Sequence, residues 1–175
     1  MNAIEVKDIT KKYDNFRLNH VSLQIPEGTI YGLIGENGAG KTTLINCILG
    51  LVQPNYGDVV VLGSNNFINE VELKNQLGFV INDMGIPNIL TVDKIEEIFS
   101  KIYKYWEHEQ FVKLLKQFEI DEEAKYETLS LGNKMRIAIA IALSHNAKLL
   151  VLDEPMNALD PAIRAEVVEL LIEYT

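Results

Sequence analysis

The sequence predicts an α/β fold: a mainly parallel core sheet with an N-terminal antiparallel β portion and an inserted α-helical portion. Three observations carry this. Period-two alternation marks the start, with Ile4, Val6 and Asp8-Ile9, then Val21, Leu23 and Ile25. An apolar run at residues 30–34 passes into a glycine-rich turn and then a helical segment. From Thr91 the apolar residues return at helical spacing, and that stretch gives way to a short apolar segment tipped with two acids.

Each element follows in order. The two alternating runs flank a polar stretch, as half-buried strands of an antiparallel sheet do. Ile30-Tyr31-Gly32-Leu33-Ile34 reads as the next strand, and residues 42–49 as a helix ended by Gly50. Residues 59–62 and 77–81 are further strands, the first preceded by the turn residues Pro54, Asn55 and Gly57. Ile95, Ile98, Phe99 and Ile102 share one helix face, and Phe111, Leu114, Leu115 and Phe118 repeat the spacing on a second helix. Residues 134–143, almost wholly apolar from Ile137 on, suit a buried helix, and residues 149–152 a buried strand. Asp160 followed by Pro161 reads as an N-cap with proline at the first helical position.

The 175 residues, 47% apolar and 23% charged, suit one globular domain. A net charge of −9 gives no general attraction for nucleic acid. Cys47 is the single cysteine and excludes an internal disulfide, and the N-terminus lacks the basic-then-apolar layout of a signal peptide, so a cytoplasmic setting is expected. The longest apolar run, residues 137–143, is far short of the ~20 residues a spanning helix needs. Work at a membrane would require a partner to supply the spanning part.

Gly35-Glu36-Asn37-Gly38-Ala39-Gly40-Lys41-Thr42 fits G-x-x-x-x-G-K-S/T without a mismatch, between an expected strand and an expected helix. Glycines let the backbone curl so that N–H groups point at phosphate oxygens, and the helix adds its positive end. A plain turn has no use for a lysine and a threonine at those two places. The fold is therefore expected to be that of a P-loop NTPase. Lys41 would reach the β- and γ-phosphates, Thr42 would ligate Mg²⁺, and Thr43 completes the binding set. Residues 149–152 then deliver Asp153 and Glu154 at a strand end, where ligands bind in an open parallel sheet. Neighbouring strand residues point to opposite sides, so Asp153 is assigned to Mg²⁺ and Glu154 to the attacking water as general base.

Leu129-Ser130-Leu131-Gly132-Asn133, ahead of an apolar helix and the acid-tipped strand, resembles the LSGGQ signature of ABC ATPases. The Met156-Asn157-Ala158-Leu159-Asp160 segment is similar to that family's D-loop. The resemblance covers the chain in order. It implies that Tyr13 stacks on adenine, and that Asn82-Asp83 stands at the Q-loop, with Asn82 toward the metal. It also implies one domain over residues 1–175: about 1–82 and 146–175 form the ATP-binding core with the β subdomain, and about 83–145 form a helical signature subdomain. Two copies would face each other head to tail, ATP lying between one copy's phosphate loop and the other's Ser130 and Gly132. Tyr105-Trp106 and the apolar positions that follow resemble ATP subunits of ABC-2-type exporters, which implies a membrane-spanning permease partner and a peripheral place on the inner face of the cell membrane.

Departures from the family pattern bear on these expectations. Asn82 stands in place of a glutamine one methylene longer, and Leu131 and Asn133 replace a glycine and a glutamine of the signature, while Ser130 and Gly132 are kept. The family's histidine toward the γ-phosphate follows a later strand, and none of His20, His108 and His145 can stand in for it, since all precede the acid pair. The chain is therefore expected to be C-terminally truncated, with ATP binding assigned and its own turnover left open. Two other readings stay open at this point: a nucleotide-binding regulatory module without turnover, and a soluble non-transport ABC ATPase.

Overall fold

Alternating apolar residues build the first hairpin of the computed structural model, which describes residues 1–65, 70–81, 84–157 and 159–174. Strand β1 (Asn2–Tyr13) pairs antiparallel with β2 (Phe16–Pro26) across Asp14-Asn15, with Tyr13 opposite Phe16 and Val6 opposite Leu23. Ile4 and Val6 share one face of β1 and are buried, and Ile9, beyond an irregularity in the pairing with β2, is buried as well. Strand β3 (Tyr56–Val61) joins the free edge of β1, with Ile4 opposite Val61. Helix α1 (Lys41–Ile48) buries Leu44, Ile45, Cys47 and Ile48, and contacts both β1 and β3.

The strand expected at residues 30–34 is not formed. No ladder is made there among the described residues, and Ile30 and Ile34 are 68% and 95% exposed. Apolar sequence creates a tendency to extend, but a strand also needs a neighbour to take its N–H and C=O groups.

Beyond helix α2 (Val71–Lys74), strand β4 (Leu77–Val80) runs parallel to β5 (Leu149–Leu152), with Phe79 opposite Val151. Helix α5 (Leu131–Leu143) packs on β4, and glycine is required at position 78 for this approach: a Cβ there would lie 2.6 Å from the Ala142 carbonyl oxygen. Helices α3 (Val92–Ile102) and α4 (His108–Gln117) precede α5, and α6 (Pro161–Glu173) follows β5. The core here joins Phe111, Leu114, Leu115 and Phe118 to Ile137, Ile139 and Ile141, each at most 1% exposed. Burial of each such side chain stabilises by roughly 1.5–3 kcal/mol.

Contacts group the described chain into two units, Met1–Lys74 and Asn75–Tyr174. The face expected for α3 is only partly realised. Val92 and Ile95 are buried, whereas Ile98 and Ile102 are exposed. No helix is long and apolar enough to cross a membrane among the described residues.

Candidate functional site

In the first unit the phosphate-loop sequence forms an exposed turn that closes on itself. The Ala39 N–H donates to the Glu36 carbonyl at 3.1 Å, and Gly38 and Gly40 take φ of +82° and +97°. Such left-handed backbone is open to glycine and costly for residues with a Cβ. Gly40 then stands as the N-cap of α1, its carbonyl accepting from the Leu44 N–H at 2.9 Å. It offers no capping side chain, and no acid lies in the first turn. The first N–H groups of a helix have no intrahelical acceptor, so this end is electropositive and suited to an anion.

Lys41 Nζ donates to the carbonyl oxygens of Gly35 at 2.8 Å and Glu36 at 3.0 Å, lying back across its own loop. Thr42 is exposed, with Thr43 half-buried beside it. Tyr13, 49% exposed, closes β1 with its ring centroid 6.4 Å from that of Phe16. Phe16 in turn packs on the loop: a Cβ at Gly40 would lie 2.7 Å from Phe16 Cζ. The structure thus links Tyr13 to the phosphate loop through Phe16, a residue the sequence reading passes over. The signal was present in the tight Tyr13-Asp14-Asn15-Phe16 hairpin, which sets the two aromatics opposite each other.

In the second unit β5 delivers Asp153 and Glu154. The Asp153 N–H donates to the Val80 carbonyl of β4 at 2.8 Å, and the residue is 2% exposed. A carboxylate at a strand end in a nearly buried position is of the oxygen-donor type that suits a hard divalent cation. Glu154 follows in half-buried position with φ of +51°, so the chain turns sharply between the two acids. Asn157 Nδ2 donates to Glu154 Oε2, and the Asn157 N–H to the Glu154 carbonyl at 3.1 Å. No cluster of three or more metal-binding side chains exists among the described residues, so a metal held here would need other oxygens as well. Asn82 and Asp83, expected at the Q-loop, and Ala158 of the expected D-loop lie outside the described residues.

Ser130 is the N-cap of α5, its Oγ accepting from the Asn133 N–H at 3.1 Å, and Gly132 stands in the first turn. This end of α5 is exposed at Ser130 and Leu131. Arg136 of the same helix reaches Asp160 at 3.7 Å and donates to the Phe118 carbonyl at 3.0 Å. Asp160 also caps α6, accepting from the Ile163 N–H at 3.1 Å as its sequence suggested. Nearby, Met84, Ile86, Pro87, Tyr126, Leu131 and Met135 help to line a cavity of about 430 Å³.

The structure accounts for the three histidines. His20 pairs with Asp8 at 2.7 Å and His108 with Glu96 at 2.6 Å, while His145 is fully buried and stacks on Tyr103 with centroids 3.8 Å apart. Cys47 is buried, and that burial raises its thiol pKa, which leaves it unreactive.

Comparison with known proteins gives a consistent result. The family model described as "ABC transporter" matches residues 18–157. The bacitracin transport ATP-binding protein BcrA of Bacillus licheniformis is 37% identical over 161 residues, covering 90% of this chain and 53% of its own. The methionine import ATP-binding protein MetN of Clostridium tetani is 34% identical over 179 residues, covering 96% and 56%. The chain thus spans about half the length of these curated relatives. The dimeric post-hydrolysis structure of the ATP-binding cassette MJ0796 bound to ADP and Pi superposes with a TM-score of 0.81 at 28% identity, covering 96% of this chain and 81% of that one.

Proposed function

This chain belongs to the ABC transporter family, and from that premise we propose that it binds Mg-ATP and, as a head-to-tail dimer, hydrolyses it to drive export through a membrane-spanning partner. The observation that carries the reading is the pair at the end of β5: a buried Asp153 next to a half-buried Glu154, with a sharp turn of the chain between them. Phosphoryl transfer to water needs both a metal anchor and a base.

Tyr13 stacks on the adenine, with Phe16 as its support. Gly35, Asn37, Gly38, Ala39, Gly40, Lys41, Thr42 and Thr43 enclose the phosphates. Lys41 exchanges the Gly35 and Glu36 carbonyls for the β- and γ-phosphate oxygens, a stronger pairing of charge with charge. Thr42, Asp153 and Asn82 would hold Mg²⁺, which when bound neutralises charge on the β- and γ-phosphates. Glu154 accepts a proton from water as the water oxygen bonds to the γ-phosphorus. The bridging bond to the β-phosphate breaks, and ADP and phosphate leave. Ser130 and Gly132 of a second copy meet the γ-phosphate at the exposed end of α5, so ATP joins the two copies and hydrolysis releases them.

The membrane-spanning partner docks on the cavity beside Met84, Ile86 and Pro87, where Ile89 is 83% exposed. A short apolar helix from that partner, reaching the cytoplasmic face, fits such a surface. The export direction rests on the likeness of the Tyr105-Trp106 helical stretch to ABC-2-type exporters, and relatives named for import share the same cassette. The helical part, about residues 83–145, is the subdomain that carries Ser130.

Sedimentation tests the reading. Glu154→Gln, which keeps the shape but not the base, is expected to form an ATP-dependent dimer that persists, and the unaltered protein one that decays as ATP is consumed. Absence of any ATP-dependent association in Glu154→Gln overturns the proposal.

A further inference from the structure

We infer that His145 is a positioning residue for Ser130: one hydrogen bond from its ring holds α5, the helix that Ser130 begins, at a fixed angle on β4, a role that rests on the head-to-tail reading of the dimer. His145 follows the last turn of α5 and is fully buried. Its Nε2 lies 3.1 Å from the Leu77 carbonyl at the start of β4, and its Nδ1 3.0 Å from the Ile141 carbonyl of its own helix. Burial lowers its pKa, so the ring is neutral at ordinary pH and has one N–H for two carbonyls.

The partners decide where that proton sits. The Ile141 carbonyl already accepts from the Ser144 N–H at 3.2 Å. Leu77 is buried, and the Gln76 and Val80 carbonyls on either side of it accept from Leu149 and Asp153. Carbonyls alternate in direction along a strand, so that of Leu77 points away from β5. A buried carbonyl needs a donor, and His145 Nε2 supplies one. The proton is therefore assigned to Nε2, and its bond crosses from the end of α5 to the sheet. Tyr103 aims the ring, stacking on it with centroids 3.8 Å apart and planes 13° from parallel, and stacks in turn on Phe99 of α3.

Packing alone would let the angle of α5 drift. Ala142 approaches β4 so closely at Gly78 that no Cβ fits there, but apolar contact is non-directional, whereas a hydrogen bond fixes direction. Arg136 ties the middle of α5 to the Phe118 carbonyl and to Asp160, and His145 ties its end to the strand that pairs with β5. For the 13 residues of α5, a tilt of about 5° at that end moves Ser130 by roughly 2 Å. A hydrogen bond to a phosphate oxygen does not survive such a shift. A drifting α5 leaves Ser130 competent in only a fraction of molecules, and association weakens by that fraction.

Two substitutions separate the donor from the ring. His145→Phe keeps a ring against Tyr103 but removes the donor, and His145→Gln gives up the ring but keeps an amide donor near the place of Nε2. In the Glu154→Gln protein, the ATP concentration at which sedimentation finds half the protein dimeric should rise about 10-fold with His145→Phe, with calorimetric ATP affinity of the single chain unchanged. His145→Gln should reverse most of that rise. A role in packing alone gives the opposite order, since phenylalanine preserves the stack and glutamine does not. An unmoved midpoint in His145→Phe, or an equal rise in His145→Gln, overturns the positioning role. Nitrogen-15 NMR of the histidine rings in the unaltered protein tests it without any substitution: a proton on Nε2 of His145 is expected, and one on Nδ1 overturns it. Absence of ATP-dependent association in Glu154→Gln with His145 in place would instead remove the dimer reading, and this inference with it.

Discussion

Phe16 lies against Gly40 so closely that a single added carbon would meet its ring at 2.7 Å. The contact joins the hairpin that carries Tyr13 to the loop that carries Lys41, so the residues proposed to hold base and phosphate share one packed support. Gly40→Ala meets two obstacles, the ring and a φ of +97°. Left-handed strain of this kind costs about 1–3 kcal/mol. We expect a lower urea midpoint and loss of ATP binding by calorimetry. Phe16→Ala in the same chain should relieve only the clash and restore only part of the stability. Unchanged stability in Gly40→Ala alone would show that the contact does not constrain the loop.

Lys41 spans its own loop through two exposed carbonyls. Exposed bonds of this kind exchange readily with water, so Lys41→Ala should change stability by under ~1 kcal/mol. Its effect on nucleotide is another matter, since no other cation of the loop motif replaces it. Calorimetry should find ATP binding abolished. Retained affinity would overturn the assignment of Lys41 to the phosphates.

Much of this arrangement was legible in the sequence, and the reasons differ by element. The alternation of Ile4 and Val6 reports directly which side of β1 is buried, and Asp160 and Pro161 announce the start of α6 through local capping chemistry. Residues 30–34 failed because strand formation depends on a neighbour, which local pattern does not encode. The short helix α2 is only four residues and leaves too little periodicity to detect. Within the candidate site, Lys41, Asp153 and Glu154 could be proposed from the sequence because their chemistry dictates both type and spacing. Phe16 was missed because it touches the phosphate loop only once the chain has folded.

The two histidines of the second unit, His108 and His145, respond to pH in opposite senses. Glu96 beside His108 raises its pKa through a hydrogen bond and charge attraction. The folded state therefore holds that proton more tightly. The stability so gained is fully present below the unfolded value of ~6.5 and is lost as pH rises through the higher folded value. His145 behaves in reverse, because burial lowers its pKa. Its ring nitrogens face the Ile141 and Leu77 carbonyls at 3.0 and 3.1 Å, and these favour the protonated ring, but desolvation outweighs them. As pH falls below ~6.5 the unfolded chain takes up a proton that folded His145 refuses, and stability drops. Proton NMR titration should place His108 above and His145 below the ordinary value. His108 is largely exposed, so its contribution should also shrink in salt. A folded-state pKa for His145 above that of His108 would contradict both assignments.

Ser130 caps α5 and, in the proposed dimer, also faces the γ-phosphate, and substitution can separate the two. As the N-cap of α5 its Oγ accepts from the Asn133 N–H, and Ser130→Ala should cost about 1 kcal/mol of stability for that reason alone. Aspartate caps a helix as well as serine does, so Ser130→Asp should keep the melting temperature close to that of the unaltered protein. Its charge, however, would stand where the γ-phosphate of ATP held by the opposite copy must come. In a Glu154→Gln background, which otherwise accumulates the dimer, Ser130→Asp should abolish ATP-dependent association in sedimentation while ATP binding to the single chain persists. Ser130→Ala should weaken association less, since the N-terminal end of α5 still offers its N–H groups to the anion. If Ser130→Asp dimerises with ATP as readily as the serine form, the end of α5 does not face the γ-phosphate, and the head-to-tail arrangement is wrong.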